Sequence, residues 1–392
     1  MKGGHVLVGD AFVADRAIVV EGDRITAVVP LARLDARPTD VVVDAHDGFV
    51  VPGLVDAHGH PPDAEPDDTI TMTEYLALCA SAGITTIRSC RGTPAQLELR
   101  DRIAAGAIAG PRLFVGGLVD ATTAKDGAAQ VHAAARDGYD FIKLMHCEGE
   151  GTYDAIAAAV AETKLPFTGH APADVTLSRM LAARQSIEHL DGYRRALQAG
   201  TSLRELATAT ADAGVSVCPT ETFVERWFQL REPAQWEIAP GVDRVPPRER
   251  ERWRAWTNER RVSSEEHAAA TAANAIDHEI IAALHTGGVN LLASASHGPW
   301  IVPGWSLLDE LRTFERAGLS RAVVLATATQ TTAKFLPGEQ PWGRIAPDHR
   351  ADLVVLSADP LADLSALHRI VGVMTAGHWN ESATSAAPPL KR

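Results

Sequence analysis

Residues 51–60 read Val-Pro-Gly-Leu-Val-Asp-Ala-His-Gly-His, an apolar run that ends in two histidines. The run predicts a buried strand over residues 51–57. Side chains two positions apart on a strand share a face, so His58 and His60 should point to the same side. Two imidazoles at the end of a barrel strand would form half of a metal site. A single pair of this kind also arises by chance, so its meaning depends on the rest of the chain.

The pattern downstream of this run is a regular alternation of short apolar strands and alanine-rich helical stretches. Eight β-then-α units in a row predict an α/β protein with a closed (β/α)8 TIM barrel over residues 51–339. An open doubly wound sheet is the alternative architecture. The predicted strands lie near residues 51–57, 84–88, 112–115, 141–145, 166–169, 186–188, 215–218 and 290–294, with the last helices at 306–317 and 320–334.

Both ends of the chain are rich in β-forming residues. Residues 5–50 hold short strand-like pieces separated by Gly-Asp turns, and such pieces return at 351–356 and 370–374. We expect the two ends to combine, so that residues 1–50 and 340–392 form one small, discontinuous β-sandwich domain.

Residues 219–262 interrupt the β/α alternation. This segment holds several tryptophans among many arginines and prolines. An ordinary helical insertion packed on the barrel explains that composition. A lid over the active site, or an oligomer contact, is the alternative.

Lys143 lies inside the apolar run Phe141-Ile-Lys-Leu-Met145, which is typical of a buried strand. A bare ammonium group in such a place is costly, and burial lowers the pKa of a lysine. A neutral amine can react with CO2 to give a carbamate, whose two oxygens suit the bridging of two metals. Alternatively, Lys143 extends to solvent or pairs with Glu148.

Two further histidines end predicted strands. His170 follows the strand 165–169, and His189 follows the strand 186–188. One such histidine is more often structural, but four histidines and a buried lysine at the ends of barrel strands predict a shared metal site. An imidazole-rich site favours zinc, with manganese or cobalt as alternatives.

The overall composition restricts the partners. The 392-residue chain has a formal net charge of −13 at pH 7, so no nucleic-acid partner is expected. Its four cysteines form no C-x-x-C pair, which argues against a thiolate zinc site. Neither a signal peptide nor a membrane-spanning run is visible, which predicts a cytoplasmic protein that acts on a small molecule. Homo-oligomerisation stays open.

Several segments, in this order, resemble the amidohydrolase superfamily, in particular its imidazolonepropionase-like and prolidase-like branch. The resemblance covers nearly the whole chain. It is carried by residues 52–60, 83–88, 141–143, 169–171, 186–189, 343–347 and 351–355.

The resemblance implies a site with two divalent metals. His58 and His60 would bind the more buried metal, and His170 and His189 the more exposed one. Lys143, carboxylated by CO2, would bridge them. The implied activity is hydrolysis of an amide, peptide or cyclic amide C–N bond through metal-activated water.

The chain departs from the family at the end of the eighth strand. The family normally carries Gly-Thr-Asp there, and the aspartate binds metal and acts as general acid and base. This chain has Ser294-Ala295-Ser296 followed by His297, so Ser296 takes the aspartate position. Losing general acid–base catalysis typically costs about 10²–10⁴ in rate. Ser89 likewise stands where the family usually has an aspartate.

Three interpretations of this departure follow. In the first, His297 takes over proton transfer and the protein is a hydrolase. In the second, the protein is a metal-dependent cyclase, lyase or isomerase that needs no base at Ser296. In the third, it is an inactive relative that only binds a ligand.

Three more residues are candidates for substrate binding. His146 follows Lys143 by three positions, and it either contacts substrate or caps the next loop. Tyr193 lies four positions after His189, close to where relatives place a substrate-binding tyrosine. Arg88 either pairs with a substrate carboxylate or holds the barrel mouth together.

Overall fold

The computed structural model describes residues 1–62, 70–230, 233–260, 262–336 and 341–381. The predicted domain boundary at residue 340 lies outside this part of the chain. So do residues 382–392, the last part of the predicted small β domain. In the described part, no helix has the length and apolar character needed to cross a membrane.

The larger sheet is parallel and, within the described residues, has eight strands in sequential order. Every predicted barrel strand is present. The burial of every residue in β5 and β6 fits a sheet that is covered on both faces. The strands are β5 Leu54–Gly59, β6 Ile84–Ser89, β7 Arg112–Ala121, β8 Phe141–Cys147, β9 Phe167–Gly169, β10 Ser186–Glu188, β11 Ser216–Cys218 and β12 Asn290–Leu291.

The two edges of this sheet approach each other, which gives a TIM-barrel-like α/β fold. Ala57 N, in β5, donates a hydrogen bond to Ala293 O, just after β12, at 3.1 Å. Asp56 adds a side-chain link, since it accepts a hydrogen bond of 2.5 Å from Ser294 Oγ. The first and last strands of this parallel sheet, β5 and β12, are therefore neighbours, as a barrel requires.

Helices cover the parallel sheet, and several begin at side chains that cap them. Ser202 and Ser263 each form a capping box, with Glu205 and Glu266 respectively. The helices are α1 Met72–Ser81, α2 Pro94–Ala104, α3 Ala124–Arg136, α4 Gly149–Thr163, α5 Leu177–Ala182, α6 Asp191–Gln198, α7 Leu203–Ala213, α8 Glu221–Trp227, α9 Pro233–Glu237, α10 Pro247–Glu259, α11 Ser264–Thr286, α12 Leu307–Arg316, α13 Arg321–Thr327 and α14 Gln330–Phe335.

The predicted helix 320–334 is divided into α13 and α14. Val55 N, in β5, donates a hydrogen bond of 2.8 Å to Ala328 O. The Ala328 carbonyl is thereby directed to the sheet, and the chain makes a turn at Thr329 before the second helix starts.

The predicted sandwich needs correction, because the strands of both chain ends form one hydrogen-bonded sheet. In the described residues this mixed sheet has seven strands in the order β15-β14-β13-β4-β1-β2-β3. Pairing of β4 with both β1 and β13 joins the two ends. The strands are β1 Gly4–Val8, β2 Ala11–Glu21, β3 Arg24–Pro30, β4 Phe49–Pro52, β13 Leu353–Leu356, β14 Ile370–Thr375 and β15 His378–Glu381.

Candidate metal centre and active-site cavity

Four imidazoles converge at the carboxyl ends of the barrel strands. The ring centroids of His58 and His60 lie 5.1 Å apart, as do those of His58 and His189, and those of His170 and His189 are 5.0 Å apart. Lys143, in the middle of β8, lies within electrostatic reach of all four rings. The structure therefore brings the five predicted metal-site residues together.

Lys143 is fully buried, so it does not extend to solvent. Its Nζ has no hydrogen-bond partner among the described residues, and the predicted alternative of a pair with Glu148 is not found there. Burial lowers the pKa of this amine. A buried amine without a partner is costly as a cation, and this environment favours the neutral form that carbamate formation needs.

Three of the imidazoles are held through Nδ1. His58 Nδ1 donates to Glu188 Oε2 at 2.5 Å, and His170 Nδ1 donates to the Met145 carbonyl at 2.9 Å. His189 Nδ1 donates to Thr220 Oγ1 at 2.5 Å, because the hydroxyl proton of Thr220 is directed to Pro219 O. Each ring thus carries its proton on Nδ1, which leaves the Nε2 lone pair available to a metal ion.

The imidazoles are neutral near pH 7. Burial lowers the pKa of His58 to about 3 and that of His170 to about 4. Burial also lowers the pKa values of His60 and His189 well below the usual range. Neutral imidazole is the form that binds metals, so the donor set fits a divalent cation.

His60 occupies a different environment from the other three. Neither of its ring nitrogens has a hydrogen-bond partner among the described residues. Its ring stacks on His297, with centroids 3.8 Å apart. The predicted catalytic His297 is therefore already in the cavity, beside a candidate ligand.

Ser296 lies beside this stacked pair, with its backbone fixed in the left-handed region at φ 62°. Ser296 N donates to Ser294 Oγ at 2.9 Å, which links the turn to Asp56 through the Ser294 hydroxyl. Ser296 Oγ is 3.5 Å from His297 Nδ1, at the limit of a hydrogen bond. His189 and Thr220 also have positive φ, and such strained residues tend to cluster at functional sites.

Arg88 has a different role from the predicted binding of substrate. It is fully buried, and its NH2 group donates to Glu188 Oε1 at 2.5 Å. Burial alone would raise the pKa of Glu188, but Arg88 and His58 outweigh it and hold that pKa well below the usual range. Arg88 therefore keeps the Glu188 carboxylate ionised, and that carboxylate orients His58. This agrees with the alternative prediction for Arg88, which is that it holds the barrel mouth together.

Glu188 also belongs to a second group that could hold a metal. Possible ligand atoms of His58, Cys90 and Glu188 lie within 4.8 Å of one another. Glu188 is already bonded to Arg88 and His58 and, at 2.5 Å, to Thr168. Burial raises the pKa of Cys90 to about 12, so its thiol stays protonated. The imidazole cluster is the better candidate.

Tyr193 is not a substrate-binding residue in this structure. It is fully buried in the core, and its hydroxyl is 3.0 Å from Thr210 Oγ1. Asp191, Arg194 and Arg195 of the same helix, α6, line the cavity, whereas Tyr193 faces the core. His146, in contrast, is exposed and lines the cavity, so contact with a substrate stays a prediction for this residue.

A cavity of about 760 Å³ opens above the imidazoles. Its walls come from the loops after the barrel strands, from α8 of the predicted insertion and from α11, which follows the insertion. Residues that the sequence interpretation missed supply much of its polar lining, because nothing in their local pattern points to a pocket. The missed polar residues are Asp191, Arg194, Arg195 and Glu266.

Comparison with known protein families identifies the family of this chain. The profile of the amidohydrolase family matches residues 49–379, and the chain belongs to that family. It is an enzyme of the amidohydrolase type, which confirms the resemblance found in the sequence. No curated protein gives a significant match.

Solved structures with the same fold include several hydrolases. A bottromycin amidohydrolase is 25% identical, with a TM-score of 0.74 over 97% of this chain and 86% of that chain. A Xaa-Pro dipeptidase with bound methionine is 21% identical, with a TM-score of 0.72 over 97% and 98%. Molinate hydrolase is 17% identical, with a TM-score of 0.73 over 99% and 96%. The last two support the fold alone.

Proposed function

We propose that this protein is a metal-dependent hydrolase that cleaves a C–N bond of a small molecule, such as a peptide, an N-acyl amino acid or a cyclic amide. The observation that carries the proposal is the environment of the donor atoms. Three imidazoles present free Nε2 atoms beside a buried lysine amine that has no partner among the described residues.

The candidate ligands fit two divalent ions, with zinc favoured by the imidazole-rich donor set. His58 and His60 would hold one ion, His170 and His189 the other, and a carbamate on Lys143 would join them. Bound divalent metals supply Lewis acidity, which activates water and polarises an amide carbonyl.

The chain's own residues orient the site and move the proton. Glu188, Met145 O and Thr220 fix three rings, so their lone pairs need no reorientation on binding. His297 stands against His60 at the cavity and provides the basic nitrogen that Ser296 lacks. In this proposal, His297 accepts the proton of the attacking water and returns it to the leaving nitrogen.

One experiment tests the proposal directly. Wild-type protein loaded with zinc is incubated with a library of dipeptides and N-acyl amino acids, and the products are identified by mass. We expect products that together exceed the substrate by one water. Lys143→Met should abolish turnover and reduce bound metal, whereas Lys125→Met, at an exposed position on α3, should change neither. Fully metallated wild type that forms no product would contradict the proposal.

A non-hydrolytic cyclase, lyase or isomerase is the second candidate. It is favoured by the lack of a carboxylate at Ser296, whose hydroxyl is only at the limit of bonding to His297. Product mass separates the two, since such a reaction adds no water. The remaining interpretation, an inactive binding protein, predicts that Ser296→Asp creates activity where the wild type has none.

A further inference from the structure

A second cavity adjoins the active-site cavity on the other side of His297. It has a volume of about 590 Å³. Both cavities are lined by the same three residues, His60, Phe223 and His297. A substrate whose scissile bond lies at the imidazole cluster could therefore extend into either one.

A series of stacked and tilted rings lines this second cavity and starts at the imidazole cluster. From His60 the centroid distances are 3.8 Å to His297, 6.3 Å onward to Phe223, 5.6 Å to Trp227 and 5.7 Å to Trp256. Phe223 and Trp227 belong to α8 and Trp256 to α10, so the predicted insertion supplies this wall. We call the cavity lined by Phe223, Trp227, Trp256 and Arg91 the aromatic cleft.

Arg91 is the basic residue of the aromatic cleft that is available to a ligand. It follows β6 by two positions, is exposed, and forms no ion pair or side-chain hydrogen bond that the described residues show. Arg91 and His297 line the same cavity, which places Arg91 near the proposed reaction centre. The other charged side chains of this cavity, Glu249 and Arg252, pair with each other through contacts of 2.6 and 2.9 Å.

The arginines of the first cavity already have protein partners. Arg194 donates to Asp277 at 2.5 Å and to Asp191 at 2.7 Å. Arg195 donates to the carbonyls of Ala171 and Pro172 at 3.0 and 2.9 Å. An anionic group of the substrate would have to compete with these contacts, whereas at Arg91 it would not.

We propose that the aromatic cleft selects the substrate: it binds an aromatic residue next to the scissile amide, and Arg91 binds the carboxylate of that residue. This inference rests on the proposed function and narrows its substrates to N-acyl aromatic amino acids and peptides that end in an aromatic residue. Rings stack favourably on aromatic walls, and a guanidinium pairs with a carboxylate through two parallel hydrogen bonds.

The test is a binding measurement on the zinc-loaded full-length protein. Isothermal titration calorimetry compares three probes whose sulfonamide cannot be hydrolysed like an amide: N-methanesulfonyl-L-phenylalanine, N-methanesulfonyl-L-alanine and N-methanesulfonyl-L-phenylalaninamide. The first has the ring and the carboxylate, and each of the others lacks one of them. We expect the first to bind at least about tenfold more tightly than either, which corresponds to roughly 1.4 kcal/mol for each group.

Matched variants assign the two contributions. Arg91→Gln should reduce the affinity for N-methanesulfonyl-L-phenylalanine to that for its amide, whereas Arg102→Gln, at an exposed position on α2, should leave it unchanged. Trp256→Leu should reduce the preference for phenylalanine over alanine. Trp227→Leu, at a ring that is 38% exposed, repeats that test if the first variant is unstable.

The outcomes separate this inference from the proposed function. Equal affinity for the three probes, or no effect of Arg91→Gln, would overturn the inference even if amides are hydrolysed. Selective binding that depends on Arg91, in a protein that forms no hydrolysis product, would support the cleft and refute the hydrolase.

Discussion

His58, His170 and His189 differ from His60 in what surrounds the ring. The first three each donate Nδ1–H to a fixed acceptor, so their orientation is set before any metal arrives. His60 has no such acceptor among the described residues and is packed against His297 instead. The held rings form a preorganised binding site, whereas His60 packs beside Ser296 and His297. In the proposed function, proton transfer belongs to His297, on the side of the site where the candidate ligand His60 is not held by a hydrogen bond.

The largest effect should follow from removing the imidazole of His297. If that ring transfers protons and is not a ligand, His297→Ala lowers kcat by about 10²–10⁴ and leaves bound zinc unchanged. Turnover and metal content per subunit are measured on the same preparation. His132→Ala, at a half-exposed histidine on α3, is the control. Loss of zinc from His297→Ala would show that His297 is a metal ligand. The His60 side of the site would then bind metal in the same way as the side of the three held rings.

Glu188→Gln tests the held side of the comparison. The amide keeps the shape of the side chain but loses the charge that His58 and Arg88 both contact. Replacing an outer partner of a metal-binding histidine typically costs about 10–100-fold in metal affinity. Competition with a chelator measures this, and Glu98→Gln, an exposed position on α2, is the control. An unchanged zinc affinity would show that preorganisation of His58 is unimportant.

Thr220 should have a smaller effect of the same kind, because its hydroxyl is a neutral acceptor. Thr220→Val keeps the β-branched shape at a residue with φ 57° and removes the bond to His189 Nδ1. We expect zinc affinity to fall by up to about tenfold. Thr220→Ser restores an oxygen and should recover most of the loss. Equal affinities of the two variants would mean that the ring of His189 is held by packing.

The hydrogen-bond partners that hold the three imidazoles show what the sequence does not predict. Apolar runs placed all eight barrel strands, and the polar residues in or after those strands gave the five candidate metal-site residues. Alternation explained only why His58 and His60 share a face. It did not reveal that Thr220 and Met145 O support His189 and His170, since those contacts join different loops. The family resemblance, in turn, assigned Tyr193 to the substrate, but the packing of α6 buries that side chain against Thr210.

The single mixed sheet and the insertion show the same limit. Strand-like pieces at both ends were predicted, but whether they pair in one sheet or two depends on contacts between β4, β1 and β13 that no local pattern specifies. The tryptophans of the insertion were recognised, whereas the place of Trp227 and Trp256 in the aromatic cleft depends on how α8 and α10 pack. The composition of the insertion predicts many aromatic residues, but only tertiary contacts determine where their rings lie.

The smallest expected effect concerns Glu310, which holds the start of α8. This helix carries Phe223, which lies beside His297. Its carboxyl group is buried and accepts hydrogen bonds from Glu221 N at 3.1 Å and Thr222 N at 2.8 Å. Burial raises the pKa of Glu310 to about 7 despite these contacts. A carboxyl whose pKa is higher in the folded state stabilises the fold below its unfolded pKa, and that contribution is lost as pH rises through 7.

Glu310→Gln cannot titrate, so the comparison isolates this contribution. Between pH 5 and pH 6 the free energy of unfolding of the wild type should fall by about 1 kcal/mol relative to Glu310→Gln, as measured by urea denaturation of chelator-treated protein. Glu98→Gln, on the exposed face of α2, should show the wild-type dependence. A difference that stays constant with pH would mean that Glu310 is ionised throughout and that its two backbone donors, not its proton, hold the start of α8. In that case the wall beside His297 would be as firmly preorganised as the three held imidazoles.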